Sequence, residues 1–197
     1  MTRATDTRSS GEITGLLRDI FRRRGDESYL GEPVSMTEHM LQTAWIAEQA
    51  GEDRTVVVAA LLHDIGHYTG EFGDDYIDIG VDNMHEVAGE RFLGRWFPPE
   101  VTEPVRGHVD AKRYLCAVDP SYFSTLTEAS VRTLELQGGP MDSEEVVRFS
   151  ANPWLDSIVR VRRYDDGGKV PGRKTPDLEH YLEMVKEVLD EHLDAGD

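Results

Sequence analysis

The sequence predicts an all-α fold, a single-domain helical bundle. Three observations carry this: apolar residues recur three and four positions apart, capping patterns precede the periodic stretches, and no convincing alternating strand occurs. At 197 residues one domain with a substantial core is the simplest organisation. The domain is read as 1–197, with the polar stretch 1–12 as a flexible tail. No internal repeat or low-complexity tract divides it.

Taken in order, Ile13, Leu16, Leu17, Ile20 and Phe21 lie at helical spacing, and "RRRG" ends that segment. "SMTE" at 35–38 is a capping-box pattern opening a helix that contains Met40, Leu41, Ala44 and Ala47. Asp53 is placed to cap "RTVVVAALLH". The valines alone fit a buried strand, but the run continues through alanines and leucines, which favours helix. "DNMHE" puts Asn83 and Glu86 in capping-box register for the next helix. After "FPPE" the chain resumes helically to Val118, with Pro104 read as the first turn of a second segment. "LTEASVRTLELQGG" is a helix closed by glycines, and "MDSEEVVRF" a short capped one. "NPWLDSIVRVRRYDD" starts with proline at the first helical position, and "TPDLEHYLEMVKEVLDEHL" is a terminal amphipathic helix.

A net charge of -17 disfavours nucleic acid and anionic membranes as partners, since both repel an acidic surface. A small anionic substrate remains open to it, provided local positive charge receives the anion. Cys116 stands alone, which leaves neither an intramolecular disulfide nor a cysteine-based zinc site. The apolar run Val56 to Leu62 is too short to span a bilayer. The first twelve residues lack a hydrophobic signal core, and a cytoplasmic location is expected.

The chemistry concentrates in "AALLHDIGHYTG", residues 59 to 70, where an apolar helix ends in His63, Asp64 and His67. Of seven histidines, His180 and His192 fall on the acidic terminal helix and read as solvated. His39, His63, His67, His85 and His108 lie near helix ends or on apolar stretches. Any one alone reads as a hydrogen-bonded core histidine; together they point to metal, because one apolar core has little use for several imidazoles. Neighbours on a helix point roughly 100° apart, so His63 and Asp64 can offer a nitrogen and a carboxylate to one site. A carboxylate, unlike an imidazole, can bridge two cations.

The order His39, His63-Asp64, Asp165 resembles the HD-domain superfamily, and His85 and His108 match its dinuclear branch. "YLGEPVSMTEHMLQ", "AALLHDIGHY", "HEVAGERFL", "GHVDAKRYL", "EASVRTLELQGGPM" and "VRRYDD" narrow this to the PhnZ-like family of mixed-valent diiron dioxygenases acting on 2-amino-1-hydroxyethylphosphonate. The likeness runs from about residue 29 to the last helix.

That resemblance implies a single HD domain with two irons, Fe(II)/Fe(III), and O2 as co-substrate. One iron takes His39, His63, Asp64 and Asp165, and the second takes Asp64, His85 and His108. Asp166 is a rival to Asp165, read as a cap or loop residue. His67, Lys112, Ser130 and Thr133 become phosphonate-binding candidates. Arg162 is a further candidate whose competing role is to pair with Asp165 or a nearby acid. Tyr29 and Glu32 form a gate, the tyrosine at an iron and the glutamate toward the substrate amine, and join Asp64 as the catalytic residues. The implied reaction cleaves the C–P bond to release phosphate and glycine or a related acid. A monomer or small homo-oligomer is expected. The competing readings are an HD phosphohydrolase acting on a nucleotide or small phosphate ester, and a catalytically silent HD binding module.

Overall fold

A computed structural model describes residues 8–29, 31–69 and 82–194; residues 1–7 of the expected tail lie outside them. Among the described residues are ten α-helices, one 3-10 turn and no strand, the nearest approach to sheet being a bridge between Ser28 and Ser35. Helix α1 (Ser10–Arg24) opens in a capping box made by Ser9 and Glu12. Residues 10–12 therefore belong to this helix rather than to the tail, because the box satisfies the backbone donors of its first turn. Helix α2 (Met36–Gln49) starts at the predicted Ser35/Glu38 box. Helix α3 (Arg54–Leu62) follows Asp53, whose side chain makes no capping bond. Burial on every side holds α3 instead, since Val56 through Leu62 are all buried.

A one-turn helix, α4 (Gly66–Thr69), and α5 (His85–Leu93) flank the stretch 70–81, which lies outside the described residues. Helix α5 does not begin with an Asn83/Glu86 box. Met84 takes the cap position in the left-handed conformation, at φ 48° and ψ 41°, and the Asn83 side chain is drawn away to two histidines. Helix α6 (Pro99–Val118) runs unbroken through Pro104, where two segments were predicted. The lost backbone bond is offset by packing, as both halves of α6 carry buried residues, Val101 and Val105 before and Val109 and Leu115 after.

A 3-10 turn (Tyr122–Thr125) leads to α7 (Glu128–Leu136), capped by Thr127, and then to α8 (Ser143–Ser150) with an Asp142/Glu145 box. Helix α9 (Leu155–Gly167) begins two residues after Pro153, because the Asn152 side chain accepts from the Trp154 N–H and turns the chain first. Helix α10 (Leu178–Asp194) closes the bundle against α1 and α3. The core has α3 at its centre, packed by α2, α6, α9 and α10. This places the C-terminal end of α3, with His63, deep inside the molecule. No helix among the described residues is long and apolar enough to cross a membrane.

Candidate metal centre

Five elements deliver six side chains to one buried point. Helix α3 stops at His63, so Asp64 lies in the turn before α4 and not on a continuous helix. The turn lets Asp64 face inward beside His63. His39 comes from α2, His85 from the first position of α5, His108 from the middle of α6 and Asp165 from α9. None is more than 7% exposed.

The hydrogen bonds assign the protons. His39 Nδ1 donates to the Gly168 carbonyl at 3.0 Å and His63 Nδ1 to the Ala60 carbonyl at 2.8 Å. Both Nε2 atoms therefore present lone pairs, and they face each other at 3.1 Å. The second pair repeats the pattern. His108 Nδ1 donates to the Val105 carbonyl at 2.7 Å, His85 Nδ1 to Asn83 Oδ1 at 2.9 Å, and their Nε2 atoms are 3.0 Å apart. Facing lone pairs at such distances repel unless a cation lies between them.

Asp64 divides its oxygens between the pairs. Oδ2 lies 3.5 Å from His39 Nε2 and 3.3 Å from His63 Nε2, while Oδ1 lies 3.3 Å from His85 Nε2 and 3.4 Å from His108 Nε2. Asp165 Oδ1 joins the first group, 3.4 Å from His39 Nε2. Donors held by metal–ligand bonds of roughly 2.1 Å sit roughly 3.0–3.4 Å from one another, and all of these spacings but the 3.5 Å from His39 to Asp64 fall in that range. Asp64 Oδ2 and Asp165 Oδ1 are buried without a hydrogen-bond partner. A proton could join two imidazoles, but only a metal would also satisfy both orphaned oxygens. The charge balance agrees. Burial alone would raise the Asp64 and Asp165 carboxyls, yet the imidazoles around the first, His63 foremost, and the Arg162 guanidinium beside the second hold both well below the usual range. Burial pushes His108 down to about 4, keeping it neutral and able to ligate.

Behind Asp165 a fixed support selects it over Asp166. Arg162 bonds Asp165 Oδ2 at 2.7 Å, Asp166 Oδ1 and the Tyr122 hydroxyl, and Tyr122 donates in turn to Asp166. Asp165 keeps its other oxygen for the centre, whereas Asp166 is committed to Arg162 and Tyr122. Arg162 thus takes the pairing role at the rim of the cavity, its guanidinium occupied by these three groups.

A cavity opens beside the centre. It is lined by the sequence-predicted Tyr29, Glu32, His67, Lys112, Ser130, Thr133 and Arg162 together with metal-ligand candidates. Lys112, one turn after His108, is 3% exposed and donates to Thr133 Oγ1 at 2.8 Å. Burial, reinforced by the nearby Arg162 charge, lowers its pKa to about 7. Tyr29 stacks on His39 with ring centres 3.9 Å apart. Burial and the charge of Asp64 raise its hydroxyl well above the ordinary value, so it is a neutral phenol. Glu32 accepts a hydrogen bond from Thr127, which also reaches Ser130.

Three residues of this site escape the sequence reading. Lys169 donates to Ser130 Oγ at 3.0 Å and lies 3.6 Å from Asp165 Oδ1; its spacing of four from Asp165 on a helix end was a usable signal. Gln137 and Asn83 carried none, because only the folded chain aims them inward.

Residues 36–148 match the HD-domain family model. The chain is 53% identical to the [1-hydroxy-2-(trimethylamino)ethyl]phosphonate dioxygenase (glycine-betaine-forming) of Leisingera caerulea, over 94% of both chains. It is 40% identical to the hydroxymethylphosphonate dioxygenase of Gimesia maris, covering 93% of this chain and 92% of that one. An uncharacterized protein of Acanthamoeba polyphaga mimivirus is 33% identical over 88% of this chain and 80% of its own.

Proposed function

The chain belongs to the HD-domain family and is akin to its phosphonate dioxygenases; from that footing we propose that it uses O2 to cleave the carbon–phosphorus bond of a 1-hydroxyphosphonate bearing a 2-amino group. The observation that carries the dinuclear part is Asp64, whose two oxygens each face a separate pair of imidazole lone pairs. His39, His63, Asp64 and Asp165 would hold one iron, and Asp64, His85 and His108 the other. Bound there, an Fe(II)/Fe(III) pair supplies Lewis acidity toward the substrate oxygens and the redox capacity that O2 requires.

The remaining work falls to the chain's own residues. Lys112, with Lys169 at the same wall, offsets the phosphonate charge that an otherwise acidic protein would repel. Ser130, Thr133 and His67 donate to its oxygens and fix its orientation. Glu32 offers a carboxylate for the amine. Tyr29, neutral and stacked over His39, covers the first ion's side of the cavity and limits water there. The overall change is balanced without an outside reductant: one O2 and one 2-amino-1-hydroxyethylphosphonate become glycine and phosphate, the hydroxyl-bearing carbon ending as the carboxyl. The two named relatives differ at the amine end, one taking a trimethylamino group and the other none. The hydroxyl and phosphonate are what their substrates share.

The test is aerobic incubation of the iron-loaded protein with 2-amino-1-hydroxyethylphosphonate, its trimethylamino counterpart and hydroxymethylphosphonate, following oxygen uptake and phosphate together. Equal molar O2 consumption and phosphate release is expected. Phosphate released from simple esters with no oxygen consumed would instead establish the phosphohydrolase reading.

A further inference from the structure

We propose that Asn83 is a positioning residue that gives two adjacent histidines opposite hydrogen-bonding polarity, keeping His85 a metal ligand and making His67 a donor to the substrate's anionic group. This rests on the oxygenase reading above for its substrate half.

By residue type and distance alone, His67 competes for the second ion. Asp64, His67 and His85 bring ligand atoms close enough to share a metal. The two rings stack with centres 4.2 Å apart and planes 18° from parallel. His67 Nε2 is 3.8 Å from Asp64 Oδ1, against 3.3 Å for His85 Nε2. What separates them is the polarity of the side chain behind both.

Asn83 Oδ1 accepts from the His85 backbone N–H at 3.2 Å and stands 2.9 Å from His85 Nδ1. A backbone N–H can only donate, so the amide oxygen, not its nitrogen, is the atom at His85. His85 Nδ1 therefore carries its proton and Nε2 its lone pair. The amide nitrogen is then the atom 3.1 Å from His67 Nδ1. It can only donate, so His67 Nδ1 accepts and the His67 proton sits on Nε2, the nitrogen 3.8 Å from Asp64 Oδ1 in a ring that lines the cavity. One buried amide thus fixes both tautomers.

The backbone is bent to allow this. Met84 is the one non-glycine residue with positive φ among the described residues, a conformation uncommon for a side-chain-bearing residue. Its N–H donates to Asp82 Oδ1 at 3.1 Å. Such strain persists where the surroundings enforce it and gathers at functional sites. Here it turns Asn83 back onto the histidine that follows.

Asn83→Asp tests the idea with little change of shape. Aspartate still accepts from His85 but can only accept at His67, which moves the His67 proton to Nδ1 and leaves a lone pair on Nε2. A His67 ring carrying protons on both nitrogens in the variant, which the nitrogen spectrum would reveal, would overturn this switch. The measurements are metal content, anaerobic affinity of the metal-loaded protein for inorganic phosphate, and nitrogen NMR of histidine in zinc-loaded protein. The wild type should show His67 protonated at Nε2. The variant should retain both metals, show the proton at Nδ1, and bind phosphate roughly ten- to a hundredfold more weakly, as expected when a hydrogen bond to a charged group is lost. A wild-type His67 proton at Nδ1, unchanged phosphate affinity in the variant, or loss of the second metal would each overturn the proposal. The wild-type spectrum decides the tautomer even if the variant fails to fold. A wild type that holds the tautomers but neither consumes O2 nor releases phosphate would sink the oxygenase reading and leave the Asn83 assignment standing.

Discussion

Lys112 shows what the site demands of single residues. Its ammonium is buried beside Arg162 and Lys169 and donates to a threonine hydroxyl, a costly arrangement unless an anion arrives. Lys112→Met keeps the length and removes the charge. Affinity for phosphate and for substrate should fall roughly ten- to a hundredfold, while the metal-free variant melts no lower than wild type, by calorimetry. The pH dependence follows from the lowered pKa. Below about 7 both folded and unfolded chains hold the proton, and the burial cost is complete. Between about 7 and the ordinary lysine value of 10.5 the unfolded chain holds one proton more, so stability rises with pH. The difference in stability between variant and wild type should shrink across that window. A difference independent of pH would show that Lys112 does not titrate there.

At the scale of elements, the centre depends on how closely α4 meets α5. A Cβ added at Gly66 would fall 1.8 Å from the His85 carbonyl oxygen, a backbone atom that cannot swing aside. Gly66→Ala should therefore push α5 away, costing about 1–3 kcal/mol by the usual range for overpacking and lowering Tm by several degrees. Because His85 is the first residue of α5, the variant should also hold less than its full complement of metal. Full metal content with wild-type Tm would mean the helices slide apart without consequence. Gly168 plays a comparable part at the end of α9, where its carbonyl receives the His39 Nδ1 proton and a side chain would meet Thr43.

For the molecule as a whole, metal binding at the proposed centre would be part of the folding equilibrium. Six buried side chains proposed as ligands converge in the interior from five elements, and without cations they leave facing lone pairs and two orphaned oxygens. An ion present at a hundred times its Kd stabilises a fold by about 2.7 kcal/mol. For a chain of this size that corresponds to a Tm drop of roughly 5–11 °C on chelation, reversed on adding iron back. A Tm indifferent to chelator would argue that the six groups do not hold metal. The same convergence brings positive charge to the cavity of a protein of net charge -17: Lys112, Arg162 and Lys169 all line it.

The local signals were sufficient for the helices. Ser35 with Glu38, Asp142 with Glu145 and the glycines after Leu136 act within one turn, so the chain carries them whatever surrounds it. The order of His39, His63-Asp64, His85, His108 and Asp165 likewise stood in the sequence as a set. Four matters waited for the tertiary structure. Pro104 stays helical because both halves of α6 are packed; Asp64 turns inward because α3 stops at His63; Arg162 is drawn to two acids and a tyrosine; and Asn83 abandons its cap for two histidines. Spacing determines which residues share a turn, whereas the partner a buried polar atom finds depends on what other segments bring within about 3 Å of it, the reach of a hydrogen bond.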